Sequence, residues 1–241
     1  MESTEYTVGE SMPKLKPMPL WQSLISFGVP ALVAVACHYL IWPYFIDIGL
    51  SNEDGYNYAN IILFIGLIVA AFIAYWGEGS QLRWRSFRER YRLNGMRWRE
   101  WKWTMTGIIV NLLLALITTY LALAVYEFLE FVPPEISPSG QPTNIPLVLV
   151  FLLLNIFGEE LWWRGYILPR QELRHGNYTW LLHGILWAFF HIYKWWAVPF
   201  MLATTPIVPF IAQRLKNTTP GVIIHLIING SGIAIVLLFP T

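Results

Sequence analysis

The sequence predicts an all-α, polytopic transmembrane helical bundle of about seven spans with one basic interfacial helix. Three observations carry this. Hydrophobic residues fill 56% of 241 positions and charged residues 13%, with a mean hydropathy of +0.48, far from the composition of an ordinary soluble domain. Apolar stretches long enough to cross roughly 30 Å of hydrocarbon recur along the whole chain. Basic residues cluster on one set of connecting loops and acids on the other.

Residues 1–17 mix charges and carry Pro13 and Pro17. They lack the basic start and short apolar core of a cleaved signal, so the first apolar stretch is expected to remain as an anchor. Spans are expected near 21–45, 58–77, 104–127, 145–163, 178–196, 197–213 and 219–240. The sixth carries Pro199, Pro206 and Pro209, which remove backbone donors and favour a bent, short or re-entrant segment. The seventh has a readable start at Thr218-Thr219-Pro220, with a hydroxyl available as N-cap and proline at the first helical position. Residues 1–144 read as an N-terminal transmembrane region and 145–241 as a catalytic helical core, the two forming one integrated membrane domain.

Between the second and third spans, residues 78–103 hold eight Lys or Arg interleaved with Trp84, Phe87, Tyr91, Trp98, Trp101 and Trp103. That is the pattern of helices lying at the headgroup level. A nucleic-acid patch is excluded as a reading, because the flanking spans hold the segment at a lipid surface where anionic headgroups compete. Residues 46–57 and 128–144 carry acids only. By the positive-inside rule the basic loop is cytoplasmic, with Lys14, Lys16, Arg170, Arg174, Arg214 and Lys216 on the same side. Seven spans then put the N-terminus inside and the C-terminus outside. The single cysteine, Cys37, excludes an internal disulfide and any multi-cysteine metal site.

The chemistry-bearing residues sit in the last four spans. Glu159 and Glu160 lie inside the apolar run from Ile145 to Trp163, followed by Arg164. An ionised residue at the centre of a membrane helix costs roughly 2.5–3.5 kcal/mol on insertion scales, so two of them need partners or a use. On a regular helix Glu160 and Arg164 stack four apart as an ion pair, while Glu159 turns toward the face bearing Asn155 and Trp163. Glu160 is then neutralised and Glu159 is left without a local partner.

His225 and Asn229 are likewise four apart on one face, and His191 shares a face with Trp187, with His183 nearby. Around the turn His175-Gly176-Asn177, Glu159 and His191 are level in an antiparallel pair. His225 falls about 10 Å short of that depth if all helices are straight. A carboxylate and two imidazoles in a dry cavity suit hydrolysis. The glutamate takes a proton from water, the imidazoles orient the water, and an amide such as Asn229 donates to the oxyanion. The same Glu159, His191 and His225 could instead hold a zinc-like ion with a position open for water. His38 and His175 read as structural.

Glu159-Glu160-x-x-x-Arg164, then Trp187-x-x-x-His191, then His225-x-x-x-Asn229, resemble the three motifs of the CPBP intramembrane protease family, the type II CAAX prenyl endopeptidases, also called Abi-like. The resemblance covers roughly residues 145–235, and the continuation Arg164-Gly-Tyr-Ile-Leu is also family-like. Trp187 stands where the family usually has phenylalanine. The resemblance implies Glu159 as general base, His191 and His225 completing the water site, Asn229 as oxyanion donor, and Glu160 and Arg164 in support. It implies a hydrophobic or prenylated peptide substrate; membrane lipid is the expected surroundings, a prokaryotic plasma membrane the expected location, and zinc (Zn2+) stays the open alternative at Glu159, His191 and His225. Two other activities fit the same residues: a non-catalytic scaffold or bacteriocin-immunity protein of the same fold, and a transporter relaying protons through Glu159, His191 and His225.

Overall fold

The computed structural model describes residues 15–134 and 144–238. Most of the segment before Leu20 and the proline-rich residues 135–143 lie outside the described residues. Throughout the described residues the chain is helical with no strand: an all-α membrane bundle. Four stretches are long and apolar enough to cross a membrane by length and composition: Leu20–Asp47, Asn52–Gly77, Trp98–Phe128 and the stretch that begins at Ile145.

Helix α1 (Leu20–Asp47) starts directly after Pro19 and widens into a π turn at Cys37–Ile41. Pro43 follows that turn at the start of the next helical segment. A proline offers no N–H to the carbonyl four residues back, and a π turn is one way for a helix to continue past it. Helix α2 (Asn52–Gly77) begins six residues earlier than its apolar stretch. Ser51 Oγ accepts the Asp54 N–H at 3.0 Å, and Glu53 and Asp54 sit in the first turn, where the helix dipole favours acids.

The basic segment is more than a surface anchor. It forms a short helix, α3 (Trp84–Arg90), and the start of α4 (Trp98–Phe128). Trp84 and Trp98 are exposed as expected, but Arg90 and Tyr91 are buried. Arg90 pairs through Nε and Nη2 with both oxygens of Glu78 and donates to the Gly165 carbonyl. Tyr91 donates to the Ala71 carbonyl at 2.6 Å, and its ring lies so close to Gly165 that a Cβ there would meet Cδ1 at 2.4 Å. Arg92 grips Glu172 with two hydrogen bonds, and Lys216 reaches the same carboxylate.

Helix α5 (Ile145–Glu159) packs along α2. A Cβ on Gly158 would stand 2.9 Å from the Phe64 carbonyl oxygen, so the two backbones touch only because this position has no side chain. At Glu160–Ile167 the helix widens into π geometry and then resumes as α6 (Leu168–His175), again just ahead of a proline, Pro169. The turn falls at Gly176, whose φ of 69° and ψ of −142° suit glycine.

The two segments after this turn differ from the expected spans. Helix α7 (Thr179–Phe190) has twelve residues, about 18 Å, and stops at His191. The sixth stretch is two short pieces, α8 (Val198–Met201) and α9 (Ile207–Leu215), joined by turns. Pro199, Pro206 and Pro209 all sit at or before a first helical turn, where a missing N–H costs nothing. Together α7 and α9 make a hairpin, closed where Gly184 meets Pro206. The final helix, α10 (Thr219–Leu238), starts where the sequence places it, but with a different cap. Asn217 Oδ1 accepts the Thr219 N–H at 3.0 Å, and the Thr218 hydroxyl has no partner.

Candidate active site

Glu159 and Glu160 occupy the junction of α5 and the π segment and are 2% and 0% exposed. Their surroundings differ. Glu160 Oε1 lies 3.1 Å from Arg164 Nη1 and 3.1 Å from His225 Nδ1. Arg164 is enclosed, its guanidinium 3.7 Å above the Trp187 ring. Gly221 of α10 faces the other oxygen, where a Cβ would stand 2.4 Å from Glu160 Oε2. The ion pair expected four residues apart is therefore present, and His225 joins it as a third member.

Glu159 does have partners, contrary to the helical-wheel expectation. Asn155 Nδ2 donates to Oε1 at 3.0 Å, and Trp187 Nε1 donates to Oε2 at 2.7 Å. Asn229 Nδ2 donates to Asn155 Oδ1 at 2.7 Å, so an amide chain runs from α10 to the carboxylate. Each oxygen of Glu159 still has a lone pair in hand. Trp163, expected on the same face, instead stacks on Phe27 at 4.3 Å. The cause is the π widening, which breaks the rule that residues four apart share a face.

The two imidazoles have complementary anchors. His191 Nδ1 lies 2.9 Å from the Trp187 carbonyl, and His225 Nδ1 lies on the Glu160 carboxylate. Both partners only accept, which assigns a proton to Nδ1 in each ring, so that in the neutral imidazole Nε2 is the acceptor. The depth mismatch expected for His225 is not observed: its ring meets Glu160, the neighbour of Glu159, at 3.1 Å.

These groups line one cavity of about 270 Å³, with Asn155, Glu159, Trp187, His191, His225 and Asn229 among its walls. Its other lining residues come from positions 56–64 of α2, Phe151 of α5, Asn111 of α4 and the connection from Tyr193 to Val208. Helices α2 and α5 run toward Glu159 from their N-termini, which meet where Asn144 donates to Asp54. Helices α7 and α10 run past it in the opposite direction. The cavity thus extends from Glu159 toward one end of the bundle. At the other end Trp163, Arg164, Ile167 and Leu168 are all buried and close the floor.

His183 stands apart from this cavity, its Nδ1 at 2.7 Å from Gln171 Oε1 and its ring edge-on to Phe27. His38 bonds the Ala34 carbonyl and stacks on Tyr193. The sequence reading passed over Tyr56, Asn60, Asn111 and Lys194, which also line the cavity. None belongs to a local motif. The donor types of Glu159, His191 and His225 are those zinc takes. Among the described residues, however, no three His, Cys, Asp or Glu side chains are grouped so as to hold a metal ion.

No curated protein and no solved structure matches the chain. A family model does: residues 141–231 match the one described as Type II CAAX prenyl endopeptidase Rce1-like. The match begins just before α5 and ends two residues beyond Asn229. This segment, which supplies Glu159, His191, His225 and Asn229, is where the chain is similar to the type II CAAX prenyl endopeptidases.

Proposed function

We propose that the protein is an intramembrane endopeptidase that hydrolyses a peptide bond in a prenylated or hydrophobic peptide, using a water molecule activated by Glu159. The observation that carries this reading is a carboxylate oriented by two donors, Asn155 and Trp187, in a cavity that His191 and His225 also line. Water in the cavity donates one proton toward Glu159 and the other toward an imidazole lone pair. Glu159 takes the first proton as the water oxygen bonds to the scissile carbonyl carbon. The carbonyl oxygen, now an oxyanion, is met by the second N–H of the Asn229 amide, the first being held by Asn155. Collapse of the tetrahedral intermediate breaks the C–N bond, and Glu159 returns its proton to the departing amine. No step is routed through a metal.

Glu160, Arg164 and His225 form the support: a buried carboxylate with two cationic or N–H partners that fixes the π segment under Glu159. We further infer that the protein resides in a prokaryotic plasma membrane, N-terminus inside and C-terminus outside, as its charge asymmetry favours. In that orientation the cavity mouth faces away from the basic loop. The substrate then reaches it from the outer face or sideways from lipid.

The test is cleavage of an S-farnesylated peptide by purified protein in detergent. Glu159→Gln is expected to lower the rate by about 10²- to 10⁴-fold, the usual worth of a positioned general base, while leaving the thermal transition near that of the parent. Undiminished cleavage by the variant overturns the mechanism. A biological function that survives Glu159→Gln intact identifies a scaffold instead.

A further inference from the structure

Lys194 ends the 3-10 turn Ile192–Lys194, three residues beyond His191. It is the single Lys or Arg among the residues that line the cavity. Among the described residues its ammonium forms no salt bridge and no side-chain hydrogen bond, and it lies 5.4 Å from the centre of the Tyr193 ring. Lys194 is partly buried; the fully buried cations are placed differently, Arg90 on Glu78 and Arg164 on Glu160. Glu159, the one carboxylate of the cavity, already accepts from Asn155 and Trp187 and is not in salt-bridge range of Lys194.

A cation held inside a membrane protein pairs with something or lines a path that brings it a partner. Here Glu159 acts on the ammonium only from beyond ion-pair distance, and the walls beside it include the amides of Asn60 and Asn111. We propose that Lys194 binds a carboxylate of the substrate peptide, so that the cavity selects peptides carrying a negative charge close to the scissile bond. The inference rests on the hydrolase reading only in taking the ligand to be a peptide, whose anionic groups are its C-terminus and its Asp and Glu side chains. Lys194 is a specificity residue in this scheme; Glu159 and the water need no help from it.

The experiment compares three S-farnesylated peptides of one sequence: a free C-terminal carboxylate, its C-terminal amide, and the amide with Asp at the last position. Binding is measured by calorimetry on the Glu159→Gln protein, so a peptide that is never cut still reports. Failure of the hydrolase reading and failure of this one are thereby separate. With Lys194 in place the free acid is expected to bind about 10- to 100-fold more tightly than the amide, the usual range for a hydrogen bond to a charged group. In Glu159→Gln combined with Lys194→Met the two should bind alike, at the amide's level, and Lys194→Arg should keep the preference. Recovery of tight binding by the Asp peptide assigns the charge to a side chain; no recovery assigns it to the chain end. Equal binding of acid and amide with Lys194 present overturns the proposal, as does an equal loss for both in the Lys194→Met protein. That last result would make Lys194 a structural counter-charge, and a normal melt for Lys194→Arg guards against misfolding.

Discussion

The two ends of the candidate site, the cavity above Glu159 and the floor beneath Glu160, are one residue apart in sequence and opposite in character. Above, a carboxylate is oriented by neutral donors, an indole and an amide, and faces a polar hollow. Below, its neighbour is locked in a dry set with Arg164 and His225, pressed by Gly221 and roofed by Trp187. Neutral hydrogen bonds orient an acid without supplying a counter-charge, whereas an enclosed guanidinium supplies one. The difference teaches that adjacent acids take separate duties from their partners, and that Trp187 divides them, its ring on the arginine and its N–H on Glu159.

Four substitutions or treatments sharpen or break that contrast. The largest effect on turnover is that of Glu159→Gln, with stability preserved. Glu160→Ala should do the reverse first. Leaving Arg164 buried without its carboxylate costs about 3–5 kcal/mol, read as a fall in the detergent melting temperature and in folded yield. A Glu160→Ala protein that melts like the parent would show that the floor is not a structural ion set. Trp187→Phe tests the divider: it keeps an aromatic wall over Arg164 and deletes the N–H to Glu159. We expect a drop of roughly tenfold or more in kcat from one lost charge-assisted hydrogen bond, with KM changed less. An unaffected kcat would mean that Asn155 alone orients the carboxylate. The smallest expected effect is that of a chelator. Dialysis against EDTA should leave cleavage unchanged, and activity lost on chelation and restored by zinc would replace the glutamate mechanism with a metal one.

Much of this was legible in the sequence because the informative residues break a strong local rule. Charged and imidazole side chains inside apolar stretches are expensive, so Glu159, Glu160, Arg164, His191 and His225 declare themselves. The ion pair of Glu160 with Arg164 followed from spacing alone. The partners of Glu159 did not, because Trp187 reaches it across 28 positions and Asn229 reaches Asn155 across 74. Helical periodicity also misplaced Trp163, since it assumes 3.6 residues per turn and the chain departs from that at Glu160–Ile167. A proline just beyond, Pro169, was the available signal that the helix departs from regular geometry there.

The basic segment shows the same limit. Its aromatic and arginine pattern predicts an interfacial helix, yet pattern cannot distinguish Trp84, which is exposed, from Tyr91, which is fully enclosed against Gly165. Nor could span length separate a crossing helix from the α7–α9 hairpin, because hydropathy reports what a segment touches and not whether it turns back. Lys194 carried no local signature at all; its meaning comes from being alone in a cavity built by other helices.

The closed floor has a consequence for what can be processed. A hollow closed at its floor cannot pass a polypeptide straight through: on the proposed reading a substrate reaches Glu159 as a free end or as a doubled-back loop. Under the proposed hydrolysis, a hollow floored in this way suits termini and juxtamembrane bends rather than the middle of an extended chain.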